Sequence, residues 1–350
     1  MTWQGIEGHD ALAARFAAAE ARGRIAGSYL FVGPPGVGKG TFALALATSL
    51  ACERPGPGLV ACKACASCVQ AAAGSHPDID VVRKPEDRST IPLELLIGDD
   101  EHRMREGLCW RILLRPVLSR RKVAVILDAD HFSEEAANCL LKTLEEPPDG
   151  ATILLVGTAL ERQLPTIRSR CQVIRFAPLP SDAVRRILER ETAGAGAGIE
   201  PAALERCAEA AGGSLARARL LLDPDITAFR SRLIDLLATR PLRGVDLSRE
   251  TLAFVEAAGK DAPPRRARLR TALEAALEIF RVAARRASGT ARHRGDDVAV
   301  EAWSGDADRV NAAATCTLDA LEAVDRNANL GVLIDAWTAM LEERRLARTG

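Results

Sequence analysis

Aromatic side chains are scarce in this 350-residue chain, at 4% of positions. Alanine and leucine dominate instead, and that composition favours helices. Net charge is also missing: Lys plus Arg is 47 and Asp plus Glu is 47. A balanced chain is poorly suited to gripping nucleic acid alone, because that binding is driven mainly by phosphate neutralisation. No apolar run approaches the roughly 18 residues of a membrane span. The opening residues, MTWQGIEGHD, lack the basic-then-apolar order of a secretory signal. These absences predict a cytoplasmic protein with no membrane partner. A two-metal carboxylate site of the kind nucleotidyl transfer needs is absent too, which removes polymerase chemistry from the chain itself.

Hydrophobic residues make up 47% and charged residues 27%. That supplies apolar material for several cores, and a prior of about 150 residues per domain predicts two or three. Residues 1–178 alternate helical and strand patterns. Helices are expected over 10–22, 39–51 and 133–146, and strands over 28–32, 80–82, 122–127, 152–156 and 172–176. Strands separated by helices mean a parallel sheet covered on both faces. Pro178-Leu-Pro180 ends this α/β zone. A small helical domain follows over 179–225, broken by the Gly- and Ala-rich stretch 193–198 and by Gly212-Gly213. Residues 226–350 read as helix throughout, with breaks near 262–264 and 288–297.

Gly33-Pro-Pro-Gly36-Val-Gly38-Lys39-Gly40-Thr41 lies between an apolar strand and a helix. Glycines there let backbone N–H groups converge on phosphate oxygens, and the helix N-terminus adds positive potential. Lys39 would reach the outer phosphates. The hydroxyl residue that normally follows the lysine and helps hold Mg²⁺ is replaced by Gly40, with Thr41 one place later. Adenylate-kinase-type loops also read G-K-G-T, so phosphate binding survives while metal-assisted hydrolysis is weakened. The strand over 122–127 ends in Asp128, the expected water-mediated Mg²⁺ partner. Hydrolysing loops of this class place a Glu next; here it is Ala129. Asp130 is displaced by two residues, roughly 6–7 Å along an extended chain.

Nine cysteines in a reducing compartment are expected to stay free of disulfides. Four cluster as Cys52-x9-Cys62-x2-Cys65-x2-Cys68, a spacing that suits structural Zn²⁺ held by four thiolates. An iron–sulfur reading fails at Ala72, where the ferredoxin-like run would continue with cysteine.

Three more segments carry a resemblance. They are Ala136-Ala-Asn-Cys-Leu-Leu-Lys142-Thr-Leu-Glu-Glu146-Pro-Pro148, Ser169-Arg170-Cys171, and Gly8-His9 upstream of the glycine loop. With that loop and the four cysteines, the chain resembles bacterial clamp-loader subunits of the AAA+ class over residues 1–225. The resemblance implies a RecA-like α/β P-loop domain over 1–178 with a zinc module inserted at about 52–68. It also implies a helical lid over 179–225 and an all-α collar over 226–350.

Motor members of that family, of the tau/gamma type, keep the P-loop hydroxyl, the acidic pair and a lid arginine at the position of Ala216. This chain has lost all three and is similar to the stator (delta-prime) members, which hydrolyse little or no ATP. The resemblance makes Arg170 an arginine finger offered in trans to ATP on a neighbouring motor subunit. Gly33, Gly36, Gly38, Lys39, Gly40, Thr41, Asp128 and Thr158 become a vestigial site for ATP or ADP. The implied partners are tau/gamma motor subunits, a delta subunit, the sliding clamp and primer-template DNA. An active ATPase of the motor type, or a nucleotide kinase, is the alternative. Arginines at 265–286 read first as a solvated helix face. The trailing helix, with Leu330, Leu333, Trp337 and Leu341, is apolar enough to suggest packing against another subunit.

Overall fold

In the computed structural model, residues 2–85, 88–103, 105–195, 199–289 and 298–346 are described. Parts of the expected breaks at 193–198 and 288–297 lie outside them. The chain divides into two compact units, Met1–Leu222 and Asp223–Gly350.

The first unit is built on five parallel strands: β1 (Ser28–Val32), β2 (Ile79–Val82), β3 (Lys122–Ile126), β4 (Ala151–Val156) and β5 (Gln172–Arg175). Their spatial order is β2-β3-β4-β1-β5. Ser28 pairs with Ile153 and Lys122 with Ala151, while Tyr29 pairs with Gln172. Every residue of β1, β3 and β4 is buried, as continuous apolar strands in a doubly covered parallel sheet require. Side chains alternate between two cores. Leu30, Val32, Ala124, Ile126, Ile153 and Leu155 face one layer. Tyr29, Phe31, Val123, Val125, Leu154 and Val156 face the other.

Helices α1 (Asp10–Ala21) and α2 (Lys39–Ala51) contribute to the second layer through Phe16 and through Phe42, Ala43 and Leu46. Helix α3 is Ala66–Ala72, within the cysteine segment. On the first layer lie α4 (Glu94–Ile97), α5 (Gly107–Arg111), α6 (Glu134–Glu145) and α7 (Pro165–Arg168). Ser133 caps α6 by accepting the Ala136 N–H at 3.1 Å, the arrangement that satisfies an otherwise orphaned donor. The α6 stripe Ala137, Leu140 and Leu144 is buried in that layer. Helices α8 (Ser181–Ala195), α9 (Pro201–Ala210) and α10 (Leu215–Leu222) enclose a smaller core of Val184, Leu188, Leu204, Ala208 and Ala218.

The second unit is all helical: α11 (Pro224–Ala238), α12 (Gly244–Glu256), α13 (Ala262–Ala287), α14 (Val298–Trp303), α15 (Ala307–Asp325) and α16 (Leu330–Leu346). Pro263 and Pro264 open α13 rather than break it, since the first turn needs no N–H from them. Helix α16 packs otherwise than expected. Trp337 and Leu341 are fully buried in this unit's own core, and the Trp337 indole N–H donates to the Thr317 hydroxyl at 3.0 Å. The apolar stripe is therefore an internal seam and needs no second subunit. Three of the α13 arginines are also spent locally: Arg265 on the Gly259 carbonyl, Arg268 on the Phe254 carbonyl and Asp225, and Arg270 on Asp325.

Candidate functional site

Ligands of open parallel sheets bind beyond the carboxyl ends of the strands. A cavity of about 640 Å³ lies there, lined by Gly36, Gly38, Lys39, Gly40, Thr41, Asp128 and Thr158 among others. The sequence-predicted loop residues thus converge, with one exception. Gly33 does not line the cavity; it extends the pairing of β1 with β4, donating its N–H to the Thr158 carbonyl at 3.1 Å.

The loop is braced from two sides. The His9 ring bonds the Val37 carbonyl at 2.7 Å and packs edge-on to Phe42 and Phe176. On the other side, the Ser214 hydroxyl donates to the Pro35 carbonyl at 3.0 Å and the Leu215 N–H to the Gly36 carbonyl at 2.9 Å. Gly36 has φ +77°, and a Cβ there would lie 2.3 Å from the Ser214 hydroxyl. Only glycine combines that backbone with so close an approach. Ala216 stands at the cavity wall where the family's lid arginine is expected.

Lys39 is buried, and its ammonium donates to the Gly33 and Pro34 carbonyls at 2.6 and 2.7 Å. Burial lowers its pKa, and the charge of Asp130 works against that shift. Arg83, Arg162 and Arg219 also reach the cavity. With Lys39 they outnumber Asp128 and Asp130, which suits a polyanion. Sequence reasoning missed these three arginines, although signals existed. Arg83 follows the end of β2, Arg162 lies in the turn after β4, and Arg219 sits three residues after Ala216 on the same helix face. Arg219 is paired with Glu191 at 2.6 and 3.0 Å.

Asp128 takes a left-handed conformation, φ +59°. Ala129 is buried in the sheet's core, so the position where hydrolysing loops hold a carboxylate points into apolar packing. The carboxylate of Asp130 is occupied. It accepts the Thr158 N–H at 2.7 Å and the Gln163 amide at 2.5 Å.

Arg170 lies away from this cavity, after α7. Its guanidinium bonds the Glu145 carboxylate at the end of α6, with 2.6 Å from Nε, and the Thr166 carbonyl at 2.9 Å. Arg170 and Glu145 are both partly exposed.

The four sulfurs of Cys52, Cys62, Cys65 and Cys68 all lie within 4.8 Å of one another. Cys52–Cys65 and Cys62–Cys68 are each 3.9 Å apart. Four thiolates at the usual Zn–S length of about 2.3 Å define a tetrahedron with edges of about 3.8 Å, so the set fits a tetrahedral soft-metal ion. Three backbone N–H groups, of Cys62, Cys65 and Cys68, point at sulfurs at 3.3–3.4 Å. The backbone N–H groups of Ala64 and Cys65 pull the Cys62 thiol down to about 6. Burial pushes Cys52 up, and burial with neighbouring sulfurs pushes Cys68 up to about 12.

Comparison with known proteins places this architecture. Residues 8–180 match the family model described as DNA polymerase III, delta subunit. The delta' subunit of Pseudomonas aeruginosa DNA polymerase III is 34% identical over 215 residues, covering 61% of each chain. The gamma/tau subunit of Mycobacterium tuberculosis (strain H37Rv) is 32% identical over 260 residues, covering 72% of this chain and 43% of that protein. The chain belongs to the bacterial clamp-loader family of AAA+ proteins. It spans 43–61% of the lengths of these two relatives. Among solved structures, a gamma subunit-related protein of Thermotoga maritima aligns over 97% of this chain and 100% of its own, at 15% identity and a TM-score of 0.39. Among the described residues, no helix is long and apolar enough to cross a membrane.

Proposed function

We propose that this clamp-loader chain is a delta-prime-type stator: it assembles with tau/gamma motor subunits and a delta subunit and supports ATP-driven loading of the sliding clamp on primer-template DNA. The observation that carries this reading is the fate of the two positions that follow Asp128 beyond β3. Ala129 is buried in the core and Asp130 is committed to Thr158 and Gln163. Neither is free to polarise an attacking water, and catalysis of phosphoryl transfer rests on such positioned groups. Gly40 in place of a metal-binding hydroxyl and Ala216 in place of a lid arginine point the same way.

The cavity keeps what holding a nucleotide requires. The loop N–H groups and Lys39 would meet phosphates, Thr41 and Asp128 would face a metal ion, and Arg83, Arg162 and Arg219 add positive charge. We read it as a site for binding ATP or ADP without efficient turnover. Zn²⁺ held by the four cysteines would supply rigidity to a segment with almost no core of its own.

In the assembly, Arg170 serves as the finger for a neighbour's ATP. Its guanidinium is always charged and planar, which suits a triphosphate. Its bond to Glu145 then acts as a resting position at the rim of α6, exchanged for the neighbour's phosphate. The test is kinetic. The purified chain should hydrolyse ATP negligibly, and a ring reconstituted with Arg170→Ala should assemble but lose turnover. Hydrolysis by the isolated chain at the rate of a motor subunit would overturn the reading.

A further inference from the structure

The helical second unit holds a cavity of about 450 Å³ whose lining includes Arg240, Trp303, Asp306, Arg309 and Arg345. Trp303 is its rigid floor: the ring is buried, and its indole N–H donates to the Leu237 carbonyl at 3.0 Å. The Arg345 guanidinium lies over that ring, 4.7 Å from its centroid. Arg345 and Arg240 both donate to one oxygen, the Ala302 carbonyl, at 2.5 and 3.2 Å. Two guanidinium groups are therefore held side by side by a shared acceptor.

Charge among the described lining residues does not cancel. Among the described lining residues, three guanidiniums meet one carboxylate, that of Asp306. Asp306 is itself engaged, capping α15 through the Arg309 N–H at 3.1 Å and lying 3.6 Å from the Arg309 guanidinium. The Nη2 atom of Arg345 is buried and makes no hydrogen bond, a costly state for a charged donor. Burial first, then the charges of Arg240 and Arg309, push the Arg345 pKa down to about 10. The start of α15 at Gly305 and Asp306 adds a positive helix end to the same wall.

We propose that this cavity binds a phosphate monoester dianion, seated between Arg240, Arg309 and Arg345. Among the described lining residues, three guanidiniums less one carboxylate leave two positive charges, and a phosphate monoester carries about −1.5 to −2 at neutral pH. A carboxylate ligand would leave one of them unmatched. The guanidinium forks, fixed by Trp303 and the Ala302 carbonyl, offer the planar donors that phosphate oxygens accept. The bound dianion would take up the unused Nη2 of Arg345.

The test is isothermal titration of the full chain with inorganic phosphate at constant ionic strength. Lys39→Ala is used throughout to remove the contribution of the glycine loop. Binding should persist in Lys39→Ala and weaken about tenfold or more when Arg240→Gln is added, the scale for losing a charged hydrogen bond. Arg240 is exposed, so that variant should keep the parent's unfolding midpoint in phosphate-free buffer; Arg309→Gln repeats the test should it not. Acetate should bind far more weakly. Loss of binding with Lys39→Ala alone, indifference to both arginine variants, or equal affinity for acetate would each overturn the proposal. Competition by an oligodeoxynucleotide carrying a 5′-phosphate, against its 5′-hydroxyl twin, tells whether the phosphate comes from a nucleic-acid end or from free phosphate.

Discussion

The carboxylate of Asp130 bridges two strand ends: it lies 2.7 Å from the backbone N–H of Thr158, beyond β4, while Asp130 itself follows β3. The space between is tight, since a Cβ on Gly157 would come within 2.7 Å of both Asp130 and Gln163. Asp130→Ala should therefore act on folding. It leaves the Thr158 N–H and the Gln163 amide without their acceptor and should cost about 1–3 kcal/mol, read as a lower urea midpoint at unchanged slope. Turnover of a reconstituted loader should fall no further than that lost stability explains. A variant of normal stability whose nucleotide hydrolysis is abolished would make Asp130 a water-positioning residue after all.

On the proposed finger role, Arg170→Ala should separate assembly from catalysis. The Arg170–Glu145 pair is partly exposed, and such pairs contribute about 0–1 kcal/mol, so the unfolding midpoint should barely move. ATPase of the assembled ring should drop by about 10³-fold or more at the site this arginine serves. Glu145→Ala is the complementary variant. It frees the guanidinium without removing it and should leave turnover intact, which a purely structural role for the pair would not predict.

The cysteine cluster makes a stoichiometric prediction. Purified chain should carry one zinc per molecule by elemental analysis. Cys65→Ser should release it and open the segment around α3, seen as rapid amide exchange there while the β-sheet stays protected. Metal held by four thiolates contributes about 10–16 kcal/mol in small zinc peptides, so loss of local order should be complete rather than partial. A zinc content well below one per chain in freshly purified protein would remove the staple.

How much of this was legible beforehand depends on what each residue answers to. The five strands were readable because β1, β3 and β4 are apolar on both faces, a pattern that needs no partner to interpret. The cysteine quartet was readable because four ligands within seventeen residues leave little freedom. The α16 stripe misled, because Trp337 and Leu341 look surplus on one helix until the burial they complete against α15 is seen. Arg219 was missed because the expected lid arginine falls at Ala216 alone, although the next turn of α10 faces the cavity too. The commitment of Asp130 to Thr158 is set by the adjacency of β3 and β4 and has no local signature in the sequence.

Asp78 gives the fold a defined acid limit. Its side chain is fully buried at the start of β2 and accepts the N–H groups of Val117, Leu118 and Ser119, each at 2.8 Å, with the Ser119 hydroxyl at 3.0 Å. Burial alone would raise its pKa, but the donors from Ser119, Val117 and Leu118 outweigh it and hold the carboxyl below its ordinary value. A carboxyl whose folded pKa is depressed lends stability that is whole above its unfolded value, near pH 4, and is lost as pH falls through the lower folded value. The Met1–Leu222 unit should therefore lose stability on acidification below about pH 4, with the loop at 117–119 opening first by amide exchange. Asp78→Asn should remove that component of the acid transition. At neutral pH it should cost about 1–3 kcal/mol, because a neutral amide cannot accept all four donors. An unchanged acid midpoint in Asp78→Asn, at unchanged neutral stability, would show that these hydrogen bonds do not set the limit.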